Sequence, residues 1–152
     1  MRRPRIYIDT SVVGGCLDDE FLEASTALME RARRGGVLLL VSSLLIDELA
    51  DAPPAVQQVM LDLPESCLAR IDLDEEADAL ARAYLNAGVL NEGSLDDARH
   101  VAMASVHDAD LIVSWNFRHI VQYQKIRGFN AVNLRQGYRN IEIRSPREVV
   151  EP

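Results

Sequence analysis

Long apolar runs are missing from this sequence. None approaches the roughly 20 residues that a bilayer-spanning helix needs, so no membrane partner is expected. Cysteine is scarce: Cys16 and Cys67 stand alone and form no C-x-x-C. That excludes a disulfide scaffold and a cysteine-based zinc site, and fits reduced, buried thiols in a cytoplasmic protein. Met1-Arg2-Arg3-Pro4-Arg5 is basic, but only Ile6-Tyr7-Ile8 follows before Asp9, too little for a signal-peptide core. The histidines, His100, His119 and His107, form no H-E-x-x-H or H-x-E pattern. G-x-G-x-x-G, G-K-[ST] and G-x-S-x-G are also absent, which removes the usual support for nicotinamide, P-loop and hydrolase-elbow chemistry. Internal repeats and low-complexity stretches are absent. Lysine is nearly so: Lys125 is the only one among sixteen Lys/Arg. Arginine pairs in a fork with either phosphate or carboxylate, so this alone does not separate the two.

The net charge of −8 argues against general nucleic-acid binding. The distribution is less hostile. From Trp115 to Pro152 seven Lys/Arg face three Asp/Glu, so the excess of acid lies in residues 1–114.

What is present is a chain of 152 residues with an ordinary globular balance, expected as one domain over 1–152. Arg5-Ile6-Tyr7-Ile8, Val37-Leu38-Leu39-Leu40-Val41 and Leu111-Ile112-Val113 read as buried strands. Phe21–Arg34 has helical spacing and stops at Gly35-Gly36. Ser42-Ser43 caps a helix through Leu49, ended by Pro53-Pro54. Further helices are expected over Ala55–Leu63, Asp74–Asn86, Ser94–His107 and His119–Arg127. Short strands are expected near Cys67–Leu73, Ala131–Leu134 and Ile141–Ile143. Strands alternating with helices predict an α/β fold with a mainly parallel sheet. Ligands of such folds bind beyond the carboxyl ends of the strands. Three predicted strand ends carry polar clusters: Asp9-Thr10-Ser11, Ser42-Ser43 and Ser114-Trp115-Asn116.

Asp9 is either a turn or cap residue or a carboxylate aimed into that crevice. Glu48 lies nearer the apolar face of its helix than Asp47 or Asp51, because Leu44 precedes it by four residues. Asp96 and Asp97 both suit a helix start. The wheel separates them: Val101 and Ala104 follow Asp97 by four and seven residues, so Asp97 lies over the apolar stripe. A carboxylate there must be compensated, by a cation or by an arginine. Asn116 alone reads as a turn residue. Together Asp9, Glu48, Asp97 and Asn116 would make an oxygen-rich pocket suited to a hard cation, Mg²⁺ or Mn²⁺.

These segments resemble a known family. Tyr7-Ile8-Asp9-Thr10-Ser11, Ser42-Ser43-x-x-x-x-Glu48, Asp97-Ala98-x-x-Val101-Ala102-x-Ala104 and Ala109-Asp110-Leu111-Ile112-Val113-Ser114-Trp115-Asn116-Phe117-Arg118-His119-Ile120 look like PIN domains, most of all the VapC-type toxins of prokaryotic toxin–antitoxin pairs. The resemblance covers nearly the whole chain in order. It implies a three-layer α/β/α sandwich and a Mg²⁺- or Mn²⁺-dependent endoribonuclease leaving a 5′-phosphate and a 3′-hydroxyl. Asp9, Glu48 and Asp97 match its three acidic positions. Asn116 matches the fourth, which is often Asp, and Ser114 the small hydroxyl two residues earlier. An uncharged Asn116 would hold a second metal more weakly. Implied partners are RNA, a homodimer mate and a small VapB-type antitoxin whose arginine could occupy the acidic site. Arg118, Lys125, Arg127, Arg135 and Arg139 are the cations best placed to offset the acidity. Two other readings stand beside this one: a weak or inactive PIN-fold interaction module, and a magnesium-dependent phosphatase.

Overall fold

The computed structural model describes residues 2–150. The strands are β1 (Arg5–Ile8), β2 (Leu38–Ser42), β3 (Leu68–Ile71), β4 (Leu111–Val113) and β5 (Glu142–Arg144). The helices are α1 (Thr10–Gly15), α2 (Leu22–Arg33), α3 (Ser43–Ala50), α4 (Pro54–Leu61), α5 (Glu75–Asn86), α6 (Leu95–Val106), α7 (Tyr123–Arg135) and α8 (Pro146–Val150). All strands pair in parallel, in the order β3-β2-β1-β4-β5.

Side-chain alternation along each strand explains the layering, since successive residues point to opposite faces of a sheet. Tyr7, Leu40, Ile112 and Ile143 enter one core with Leu80 and Tyr84 of α5, Val101 of α6 and Phe129 of α7. Ile6, Ile8, Leu39, Val41 and Val113 enter the other with Val12 and Val13 of α1, Leu28 of α2 and Leu45 of α3. Both faces are thus covered, and the fold is the expected α/β/α sandwich. The turn that returns the chain from α2 to β2 depends on Gly35, whose φ of +84° suits a residue without a Cβ.

Tyr7 pairs with Leu40 on one side and Ile112 on the other, so β1 is central. The strand order reverses beside it, and a switch point of this kind opens a crevice at the carboxyl ends of the strands. Asp9, Ser43 and Ser114 all follow their strands at that edge. The opposite edge is tied separately. Asp110 Oδ2 accepts from Arg5 N (2.7 Å), its Oδ1 pairs with Arg2 (3.0 Å), and the Arg5 guanidinium donates to His107 O (3.0 Å).

Two expectations need correction. Ala131–Leu134 is not a strand but part of α7, which buries Phe129, Val132 and Asn133 at helical spacing. The helix expected over His119–Arg127 begins only at Tyr123, where the Gln122 side chain caps it by accepting from Lys125 N (2.8 Å). The short α1 was not expected. Thr-Ser-Val-Val-Gly-Gly has poor helix propensity, and complete burial of Val12 and Val13 overrides it. Among the described residues, no helix is long and apolar enough to cross a membrane.

Candidate active site

Asp9 leaves β1 in extended conformation and precedes α1, but its side chain makes no cap bond. It turns into the crevice, where it is only 4% exposed. Oδ1 accepts from Ser11 Oγ (2.6 Å) and Oδ2 from Ser114 Oγ (2.5 Å), which lies beyond β4. Burial raises its pKa above the ordinary aspartate value; the nearby His100 and the two serine hydroxyls only partly offset this. Among the described residues, no arginine or lysine forms an ion pair with Asp9.

Glu48 approaches from α3. Its Oε1 accepts from Thr10 Oγ1 (2.6 Å) and faces His100 Nε2 at 2.7 Å. A carboxylate only accepts, so Nε2 is the protonated, donating nitrogen. Partial burial alone would raise the Glu48 pKa. The hydrogen bonds from His100 and Thr10, with the charge of His100, outweigh it and hold the carboxyl below its ordinary value. His100 is itself buried on α6. Its Nδ1 lies 2.5 Å from the Tyr7 hydroxyl, which donates to Ser42 Oγ (2.9 Å). Ser42 Oγ also accepts from Leu45 N (3.0 Å) and so caps α3. Burial pushes the Tyr7 phenol far above the ordinary tyrosine range.

The two neighbouring acids of α6 part company. Asp97 Oδ2 meets His119 Nδ1 at 3.0 Å, whereas Asp96 pairs outward with Arg99 (3.0 Å). Asn116 Oδ1 accepts from Arg118 N (3.2 Å) and His119 N (2.9 Å), and Asn116 N donates to Ser114 Oγ (2.9 Å). Its side-chain oxygen therefore shapes the turn after β4.

Glu48 is tied through His100 to Tyr7 and directly to Thr10, the residue after Asp9, and the charge of His100 also acts on Asp9. Asp97 and Asn116 meet through His119 and connect back to Asp9 through Ser114. Among the described residues, no three His, Cys, Asp or Glu side chains stand together as a ready metal cage. The donor set is nevertheless hard oxygen, with a buried carboxylate that, among the described residues, pairs with no arginine or lysine. Mg²⁺ keeps several waters and needs only one or two protein carboxylates besides its substrate's phosphates. The residues fit a water-rich site of that kind and not an all-protein cage. Tyr7, His100 and His119 were missed as site residues by the sequence reading. A signal existed for one of them: His100 follows Asp97 by three residues, so both lie on adjoining sides of α6.

No protein-family model matches the sequence and no curated protein does. Solved structures do match. Mycobacterium tuberculosis VapC20, a Sarcin–Ricin loop cleaving toxin, is 14% identical with a TM-score of 0.58, covering 75% of this chain and 92% of that one. A chain of DNA-bound VapBC from Salmonella typhimurium is 17% identical with a TM-score of 0.58, covering 94% and 98%. A chain of Rickettsia felis VapBC2, bound to a DNA fragment from their promoter, is 16% identical with a TM-score of 0.57, covering 93% and 98%. At these identities the likeness establishes the fold, and it is the fold that the resemblance to VapC-type toxins implies.

Proposed function

We propose that the chain is a metal-dependent endoribonuclease, the toxin of a type II toxin–antitoxin pair. The observation that carries this reading is the buried Asp9 carboxylate, held by two hydroxyls and, among the described residues, paired with no arginine or lysine. A buried charge that is only partly compensated is costly, and a divalent cation bound there would relieve it. The likeness to VapC20, a Sarcin–Ricin loop cleaving toxin, supports RNA as the substrate class.

Asp9 and Glu48 would hold Mg²⁺ or Mn²⁺, with Asp97 across the crevice, and Asn116, whose Oδ1 serves the turn, would act through water. A bound ion would neutralise phosphoryl charge and acidify water at the site. The chain's own residues do the orienting. Ser11 and Ser114 fix both oxygens of Asp9. Thr10 and His100 both hold Oε1 of Glu48, so Oε2 is the oxygen left to reach a ligand. His119 holds Asp97 in the same manner. Such supporting bonds are worth roughly 10–100-fold in metal affinity or activity. Among the described residues no histidine is hydrogen-bonded to Thr10, Ser11 or Ser114, so these hydroxyls act as orienting groups and not as nucleophiles. A VapB-type antitoxin, a homodimer and a cytoplasmic location complete the proposal, the antitoxin on the likeness to chains from VapBC and FitAB structures.

Cleavage of single-stranded RNA with Mn²⁺ tests the reading. Wild type should cut and Asp9→Asn should not; equal activity removes Asp9 from the mechanism. The absence of a three-ligand cage among the described residues favours the second reading, an interaction module with little catalysis. Calorimetry separates them. Heat on adding Mn²⁺ that disappears in Glu48→Gln supports the enzyme, and no binding at all supports the module.

A further inference from the structure

The turn after β4 carries an aromatic feature that the acidic site does not use. Three of the chain's eight aromatic residues stand together there. The ring of Phe21 stacks on that of Trp115 with centroids 4.2 Å apart, and Phe117 meets Trp115 edge to face at 6.1 Å. Trp115 is buried and anchored at both ends. Its indole donates to Ser25 Oγ on α2 (2.8 Å), and its backbone N donates to Ser11 Oγ (2.9 Å), the same hydroxyl that holds Asp9. The Arg147 guanidinium lies 5.4 Å from the Trp115 ring centroid. Phe117 is the member that reaches solvent, 48% exposed. Its backbone is fixed as well, because Phe117 N donates to Trp115 O (3.0 Å) and Asn116 Oδ1 closes the turn around it. An aromatic ring is thus held in the open, one residue from Asn116 and a short, rigid path from Asp9. The next residue, Arg118, is exposed and forms no ion pair among the described residues.

We propose that Phe117 is a stacking platform for one unpaired nucleobase of single-stranded RNA, with Arg118 meeting a neighbouring phosphate. The proposal rests on the ribonuclease reading and gives that site a contact to its substrate. Base-on-aromatic stacking tolerates any sequence because every base has a π-face, and it requires an unpaired strand. It also supplies a binding contribution that a chain of net charge −8 cannot draw from general electrostatics. A pre-fixed ring loses little conformational freedom when a base lands on it.

The experiment uses the full chain and a fluorescein-labelled single-stranded oligoribonucleotide, followed by anisotropy in Ca²⁺, a hard cation substituted for the catalytic one. Phe117→Leu should bind about 5- to 150-fold more weakly than wild type, the worth of one stacked base. Phe117→Tyr should restore binding. On an oligomer with abasic sites throughout, wild type and Phe117→Leu should bind alike. A matching loss on a DNA oligomer supports the platform, since stacking does not read the sugar. Equal binding of wild type and Phe117→Leu to base-bearing RNA overturns the platform and leaves the ribonuclease reading standing. An equal loss on abasic RNA overturns it too, because the effect would then be structural. If wild type neither binds nor cuts RNA, the ribonuclease reading fails and the platform falls with it.

Discussion

Replacing Tyr7 by Phe removes one oxygen from the centre of the molecule and nothing from its apolar packing. The hydroxyl bridges His100 Nδ1 (2.5 Å) and Ser42 Oγ (2.9 Å), and the residue is fully buried. Ser42 retains the bond from Leu45 N. His100 Nδ1 loses the partner it has among the described residues, and an unsatisfied buried polar group costs about 1–3 kcal/mol. Adding about 1 kcal/mol for the Ser42 bond, Tyr7→Phe should lose about 2–4 kcal/mol. For a chain of this length each kcal/mol lowers Tm by about 2–4 °C, so the melting point should fall by about 4–16 °C. Circular dichroism melts and urea titrations read this directly, with the midpoint moving at constant m. Mn²⁺ affinity should fall as well, by about 10–100-fold, because His100 then positions Glu48 less firmly. Tyr123→Phe, at a site 68% exposed, is the control and should stay within about 0.5 kcal/mol. A Tyr7→Phe protein as stable as wild type would refute the claim that the phenol supports the acidic crevice from beneath.

Three further outcomes follow from the same geometry. Asp9→Asn should stabilise the metal-free protein at neutral pH. The Asp9 pKa is raised in the fold by burial, so the stability this group permits is present below the unfolded value and lost as pH rises through the folded one, by at most about 1.4 kcal/mol per pH unit. Urea titrations should show the gap between the two proteins closing toward acid pH, and a less stable Asp9→Asn at pH 7 contradicts this. Gly15→Ala should cost about 1–3 kcal/mol by overpacking, because a Cβ there would lie 2.5 Å from Ser25 Oγ and 2.7 Å from Trp115 Nε1; it should also shift the emission of the only tryptophan, and an unchanged spectrum argues against it. Tyr138, pushed up to about 12 by partial burial and by its bond to Glu76, should move down in ultraviolet titration in Glu76→Gln. The stability held by that neutral phenol is intact below the ordinary tyrosine value and lost as pH climbs toward 12, and an unmoved Tyr138 titration in Glu76→Gln rejects the account.

Much of the architecture could be read from periodicity. Val37–Val41 and Leu111–Val113 are apolar throughout because both faces of a parallel strand are covered, and the structure places them beside β1. The wheel set Asp97 over the apolar stripe; in the structure Asp97 is partly buried against His119, while Asp96 is exposed and pairs with Arg99. The strand expected at Ala131–Leu134 failed because a short apolar run has no period of its own, and only the packing of Phe129 and Val132 decides between helix and strand. The histidines were illegible for a different reason. His100 meets Glu48 across 52 positions and Tyr7 across 93, so its place beside Asp97 on α6 was the one local hint and its partners had none. Their roles arise only when α6 docks beside β1 and α3.

The Asp110 clamp sits at one end of β1 and the acidic crevice at the other, with only Arg5–Ile8 between them. Four strand residues span about 13 Å, farther than the range over which substitutions usually interfere with each other. Stability changes made around Arg2, Arg5 and Asp110 should therefore add to, and not distort, changes made around Asp9. The molecule can be reinforced from the end away from the acidic crevice, which gives a practical route to handling variants whose crevice has been emptied of its carboxylates.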